Sequence, residues 1–345
     1  MERPMVISGH ALIEEDLTLR SVDIIIERGI IIAIEETDKS PDIWICPALF
    51  NAHTHLGDTI AMDYTTKGDL VELVTPPNGL KHRLLATASR KDIVTGMKTS
   101  IGNMVNHGTA GCVDFREGGS DGVIALREAA ANQPFRCVIF GRDGGEIDSD
   151  GLGVSSVRDI PDLDRIVAKA KRNGKQVAFH AGEMDSKDVD AALAYDPNFI
   201  IHATHATNKQ LKQCADRSIP IVVCPRSNWT LDATSSKAHP PIERMLNLGC
   251  TVYLGTDNVM FVEPDMFTEM AFVHTIYRLD PIITLQMAIS GSSIKGEPFF
   301  IKTGTRANLF LINPRFSNLR FSQHPVASIV KRANSNIIGT NVFNS

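Results

Sequence analysis

The 345-residue sequence carries little that would tie it to a membrane, to nucleic acid or to an oxidising compartment. No apolar run approaches the roughly 20 residues that a membrane-spanning helix requires. The opening stretch MERPMVISGHALIEEDL has Glu14, Glu15 and Asp16 where a secretory leader would continue an apolar core, so a leader is not expected. A net charge of −5 gives no electrostatic reason to expect nucleic acid or an anionic lipid surface as partner. The six cysteines are scattered, none in a C-x-x-C pair, and most sit inside apolar runs. That pattern speaks against a disulfide frame and for buried thiols in a reduced, cytoplasmic protein. Also missing is a glycine-rich phosphate loop after the first strand, the usual mark of an open nucleotide-binding sheet.

Hydrophobic residues make up 43% of the chain and charged residues 22%, enough for one large core with at most a small companion domain. From about residue 100 one phrase recurs: an amphipathic segment, a Gly or Pro stop, a short apolar run, then polar residues. It is clear in Asp92–Val105 followed by Ala110–Val113, in Leu163–Lys171 followed by Gln176–Phe179, and in Ile242–Leu248 followed by Thr251–Leu254. With a short strand near Gly153-Val154-Ser155, eight such units span roughly 245 residues, which predicts a closed (β/α)8 TIM barrel, typically about 250 residues long. The two ends break the pattern with β-like runs at Val22–Ile26, Ile30–Ile34, Ala307–Ile312 and Ser335–Ile338. They predict a small β-sandwich built from residues 1–45 and 296–345 beside a barrel of residues 46–295.

Catalytic residues of such a barrel belong at the C-terminal ends of its strands. The first end, in NAHTHLGD, holds His53 and His55, whose two-residue spacing points both along one face of a strand. QVAFHAGE ends in His180 with Glu183 three residues on; FIIHATHA ends in His202 and His205; IVVCPRSN runs into Arg226, Ser227 and Asn228; VYLGTDN ends in Asp257. Singly, each histidine reads as an ordinary hydrogen-bonded polar residue. Jointly that reading weakens, because five of the 11 histidines fall on three strand ends. Imidazoles and a carboxylate converging on one mouth suit Zn²⁺ or another borderline first-row divalent ion.

The set HTH (53–55), HAGE (180–183), HATHAT (202–207), CPRSN (224–228) and LGTDN (254–258), in that order, resembles the amidohydrolase superfamily. The resemblance is to its branch of cytosine- and adenosine-type deaminases and triazine hydrolases. GTRANLFLIN looks like the strand that re-enters the family's small accessory sandwich. The resemblance implies one divalent ion, Zn²⁺ in first place with Fe²⁺ as the alternative, held by His53, His55, His180 and Asp257. The stretch DSDGLGVSSV offers no lysine to bridge a second metal. Such an ion lowers the pKa of bound water from 15.7 toward roughly 7.

The resemblance further implies Glu183 as proton donor to the ring, Asp257 as acceptor of the water proton, and His202 as electrophilic stabiliser and substrate contact. Ser227 and Asn228 are expected to shape the substrate pocket, by direct contact or by holding the turn, and His205 to be structural. Arg116 and Arg142 also follow strands; each either pairs with its neighbour, Glu117 or Asp143, or grips an acidic group on the substrate. TPPNGLKHR (75–83) reads as a plain turn, though long enough for a lid. The expected activity is a metal-dependent aminohydrolase releasing ammonia from a heterocyclic amine such as a purine or pyrimidine. Cyclic-amide opening, dechlorination, or a barrel that binds a ligand without turnover are the alternatives. Similar proteins commonly self-associate, so a homo-oligomer is expected.

Overall fold

The computed structural model describes residues 3–38, 41–65, 68, 70–76 and 78–343. Two sheets organise it. The first collects strands from both ends: β1 (Met5–Ile13), β2 (Thr18–Glu27), β3 (Ile30–Glu36) and β4 (Trp44–Pro47). The second is a run of eight parallel strands: β5 (Leu49–Thr54), β6 (Thr109–Arg116), β7 (Arg136–Gly141), β8 (Gly151–Val154), β9 (Gln176–Ala181), β10 (Phe199–His202), β11 (Ile221–Val223) and β12 (Val252–Leu254). Two late strands, β13 (Leu309–Ile312) and β14 (Ile338–Val342), return to the first sheet, whose order is β14-β13-β4-β1-β2-β3.

The eight parallel strands lie in sequence order, and a parallel bridge from Thr54 to Asp257 joins last to first. Asn51 reinforces that closure: its amide donates to Thr256 Oγ1 at 2.7 Å and accepts from the Thr256 backbone at 3.0 Å. The result is a (β/α)8 TIM barrel with an additional sheet made by the termini. Its strands are nearly all buried along their length, as parallel strands covered by helices must be. The interior is filled by rings: Phe115 stacks on Phe140 at 5.4 Å, and Phe199 meets Phe140 edge-on at 5.1 Å. Gly153 and Gly151 on β8 make room for them; a Cβ on Gly153 would sit 2.6 Å from Phe115, and one on Gly151 2.5 Å from Phe140.

The terminal sheet alternates buried and exposed residues along β1 and β2, with Ile7, Val22, Ile24, Ile45 and Leu309 in its core. The chain passes from this sheet to the barrel at Ala48, whose backbone N–H donates to the Asn308 carbonyl at 2.9 Å. The C-terminal segment is less uniformly β than expected. PVASIVKR forms a helix, Pro325–Arg332, that starts on a proline and buries Ile329 and Val330.

A second difference follows β5. Within 75–83, where residue 77 lies outside the described residues, the chain does not make a plain turn. A helix, Leu80–Thr87, starts there and buries Lys81. Together with the short helix Leu70–Val74 it borders the mouth of the barrel. No helix among the described residues is long and apolar enough to cross a membrane.

Candidate active site

Because every barrel strand runs the same way, the ends of β5, β9, β10 and β12 deliver their polar residues to one mouth. His53, His55, His180 and Asp257 each offer a ligand atom, and these atoms all lie within 4.8 Å of one another. His53 Nε2 is 3.2 Å from both His180 Nε2 and Asp257 Oδ1, and His55 Nε2 is 3.5 Å from the same oxygen.

The outer nitrogens fix the tautomers. His180 Nδ1 donates to the Val154 carbonyl at 3.0 Å, and His55 Nδ1 donates to Glu117 Oε1 at 2.9 Å. Both acceptors lack a proton to give, so the Nε2 lone pairs of these rings point inward. Burial, above all, holds the imidazole pKa values below normal: His53 is lowered, His55 falls to about 3, and His180 lies well below its usual value. His55 and His180 turn their Nε2 lone pairs inward, and with His53 and the Asp257 carboxylate they form a donor set that a divalent cation satisfies. These residues therefore fit a divalent metal ion, with Glu183, His202 and Asp257 a second group of close ligand atoms beside them, and no lysine reaches the site from β8.

Asp257 is held by Ser227, whose hydroxyl donates to Oδ2 at 2.5 Å and leaves Oδ1 facing the imidazoles. Burial would raise this carboxyl, but the His53 hydrogen bond and the neighbouring imidazoles hold it well below its usual range. Glu183 stands on the opposite side, Oε2 3.5 Å from His202 Nε2. Burial raises its pKa to about 7 although a fifth of the side chain is exposed (19%). His202 is fixed from behind. Thr204 Oγ1 donates to Asn228 Oδ1 at 3.1 Å, which turns the Asn228 amide nitrogen toward His202 Nδ1 at 3.2 Å. Nδ1 thus accepts, and Nε2 carries its proton into the cavity. His202 and Asp257 both adopt left-handed backbone angles, φ 74° and 66°, which non-glycine residues hold at a cost of about 1–3 kcal/mol.

The cavity above these groups measures about 230 Å³ and is walled by Leu70, Val71, Val74, Met184 and Leu231 on its apolar side. Lys81 and Arg142 line its polar side.

Several expected contacts fall elsewhere. Ser227 and Asn228 do not line the cavity; Ser227 touches Asp257, and Asn228 touches His202 and, at 3.5 Å, Glu183. Arg116 is buried behind Glu117, its guanidinium spent on Glu117 Oε2 at 2.6 Å and Asp114 Oδ1 at 3.4 Å, so it does not reach the cavity either. Arg142 does line the cavity but pairs with Glu117 at 2.8 Å, not with its neighbour Asp143. Arg226 is tied to Glu269 at 2.5 Å, and His205 donates to the Ala233 carbonyl at 2.9 Å, a structural contact. Lys81, Asp58 and Glu117 were not read as site residues. Glu117 obeys the strand-end rule as well as its neighbour Arg116 does and could have been found by it; Lys81, inside a helix of low amphipathicity, carries no such signal.

With the site in place, the comparisons define the class. The amidohydrolase family model matches residues 44–145 and the adenosine deaminase model residues 138–293. The chain is 33% identical to a protein provisionally named an aminohydrolase in Methanothermobacter thermautotrophicus, over 98% of this chain and 97% of that one. It belongs to the amidohydrolase superfamily, a class of hydrolases here acting on carbon–nitrogen bonds. Its fold is shared by deaminases and triazine hydrolases of known structure. Guanine deaminase of C. acetobutylicum, solved with bound guanine, superposes with a TM-score of 0.76 at 14% identity, covering 99% of each chain. Zinc-bound atrazine chlorohydrolase of Arthrobacter aurescens gives 0.79 at 16% identity, covering 98% of this chain and 93% of that one. At those identities the superpositions speak for the fold.

Proposed function

We propose that this chain is a Zn²⁺-dependent aminohydrolase that releases ammonia from a small heterocyclic amine. The observation that carries the proposal is the meeting of His53, His55, His180 and Asp257 beneath a cavity whose wall holds a raised-pKa carboxyl, Glu183. A divalent cation held by those four residues supplies Lewis acidity and a nucleophilic water near neutral pH.

The chain's own residues do the rest. Glu183, protonated in part near neutrality, presents its acid proton toward a ring nitrogen of a substrate lying in the cavity. His202, with its Nε2 proton fixed by Asn228, donates toward the oxygen that adds to the ring carbon. Asp257, kept ionised and steered by Ser227, accepts a proton of the attacking water and passes it to the amino nitrogen, which leaves as ammonia when its bond to the ring carbon breaks; the second water proton returns to Glu183. Leu70, Val74 and Leu231 exclude bulk water from the ring. A volume of about 230 Å³ is at the small end for ligand sites, typically roughly 300–1,000 Å³, and favours a compact ring over an extended molecule. Arg142 spends one guanidinium nitrogen on Glu117 and lines the cavity, where an acidic substituent of the substrate would meet it.

The test is metal content and ammonia release together. Protein purified without chelators should hold about one zinc per chain, largely lost in His180→Ala. It should release ammonia from at least one member of a purine, pyrimidine and pterin panel. Metal without ammonia, but with chloride release or ring opening, would move the activity to another amidohydrolase reaction. Absence of metal in protein that also refuses added zinc would overturn the reading.

A further inference from the structure

We infer that Glu117 is the positioning residue of the metal site, and that Lys81 locks it in place from the helix bordering the mouth. This inference rests on the metal reading above.

Glu117 follows the last residue of β6 and is buried, with 6% of its side chain exposed. Its carboxylate accepts from four donors. Oε1 takes His55 Nδ1 at 2.9 Å, Lys81 Nζ at 2.8 Å and Arg142 Nη1 at 2.8 Å; Oε2 takes Arg116 Nη2 at 2.6 Å. An ionised carboxylate can only accept, so the proton of this bond lies on His55 Nδ1. Three cationic donors on the same carboxylate hold its oxygens in place and with them the His55 ring. The consequence is a neutral ring whose Nε2 lone pair is fixed toward His53 and Asp257.

Lys81 is the least expected member. Its side chain is 3% exposed, and its ammonium bridges Glu117 to Asp58 at 2.9 Å, 3.5 Å from His55 Nδ1. Asp58 lies in the turn Leu56–Ala61 directly after the two ligands of β5. One ammonium therefore joins three elements: the turn after β5, the end of β6, and the helix Leu80–Thr87. A lone buried ammonium would be untenable. Two carboxylates at hydrogen-bonding distance make it stable there and make its removal disruptive.

Glu117→Gln cannot reproduce this arrangement. The amide has one acceptor oxygen; if that oxygen meets His55 and Lys81, the amide nitrogen is forced against Arg116 Nη2, donor against donor. Glu269→Gln serves as the matched control, because Glu269 is also buried and ion-paired, with Arg226, but makes no hydrogen bond to His53, His55, His180 or Asp257.

The experiment measures Zn²⁺ affinity by chelator competition, and the visible spectrum of Co²⁺-loaded protein, in wild type, Glu117→Gln, Lys81→Met and Glu269→Gln. Thermal melts track folding alongside. Glu117→Gln should lose about 10–100-fold in affinity with a shifted Co²⁺ spectrum, as outer-sphere partners of metal ligands typically do. Lys81→Met, which leaves the Glu117 carboxylate intact, should lose less, and Glu269→Gln should match wild type. Wild-type affinity in both Glu117→Gln and Lys81→Met, or an equal loss in Glu269→Gln, would overturn the inference while leaving the metal site standing. If Glu117→Gln fails to fold, Lys81→Met decides by the same two readouts. Wild-type protein that binds neither ion would remove the metal reading itself, and this inference with it.

Discussion

Glu183 and Arg142 are the residues whose chemistry can be separated by measurement. Glu183 has its carboxyl raised to about 7 by burial, so the acid form prevails below that pH and is lost above it. If it donates the proton, kcat should fall as pH rises through about 7, and Glu183→Gln should lower kcat by roughly 10²–10⁴-fold and abolish that limb. A variant with the wild-type falling limb would exclude Glu183 as the acid. Arg142→Met removes a cavity-facing guanidinium and a donor to Glu117. Its effect on kcat should be common to all substrates. KM, by contrast, should rise about 10–100-fold further for an acidic substrate than for its neutral analogue, the worth of a charge-assisted bond. Equal KM changes would assign Arg142 to the Glu117 cluster alone. At this scale the legible residues were those at strand ends, because alternation and strand direction place them without knowledge of the rest. Lys81 was illegible: what buries it is a pair of carboxylates, Asp58 and Glu117, that are 23 and 36 residues away in the chain.

The elements were read with different success for a physical reason. Parallel strands buried on both faces leave continuous apolar runs, and seven of the eight announced themselves that way. β8 is the weak one, since Gly151-Leu152-Gly153-Val154 yields its interior volume to the rings of Phe115 and Phe140. That exchange of volume makes a prediction. Gly153→Ala would press a methyl within 2.6 Å of Phe115, a ring that in turn contacts His53 and His180 edge-on at 4.8 and 4.9 Å. Denaturant unfolding should show a loss of about 1–3 kcal/mol, the usual cost of overpacking. Phe140→Ala, which empties the ring position stacked on Phe115, should cost about 3–5 kcal/mol. A neutral Gly153→Ala would mean the ring layer is looser than its spacing implies. Helices away from the barrel core were harder to read. Leu80–Thr87 lacks a marked apolar face and follows the proline-containing stretch 75–79, while Pro325–Arg332 lies between the strand Leu309–Ile312 and Ser335–Ile337, a 3-10 turn where β structure was expected, ahead of the strand Ile338–Val342.

At the scale of the whole molecule, barrel closure and metal site are one problem. The bridge from Thr54 to Asp257 closes the sheet, and its two strands carry three of the four ligand side chains. The fourth, His180, comes from β9. A cation held by these four residues would draw β5, β9 and β12 together beyond what the His53–Asp257 contact at 3.2 Å does. The metal should therefore act as a staple of the fold as well as a reagent. For an ion present at a thousandfold excess over its Kd the gain is about 4 kcal/mol. In a chain of this size that raises Tm by something of the order of 5–10 °C. The barrel core of aliphatic and phenylalanine side chains lies beneath the ligands and does not depend on them, so chelated protein should keep its far-ultraviolet circular dichroism while melting earlier. Calorimetry with and without Zn²⁺ checks both statements. A metal-free protein that loses its secondary structure would show that the seam is held by the ion alone. An unchanged Tm in protein that demonstrably binds zinc would show that the ligand cluster is already rigid, with Asn51, Thr256 and the Glu117 cluster sufficient to hold the seam.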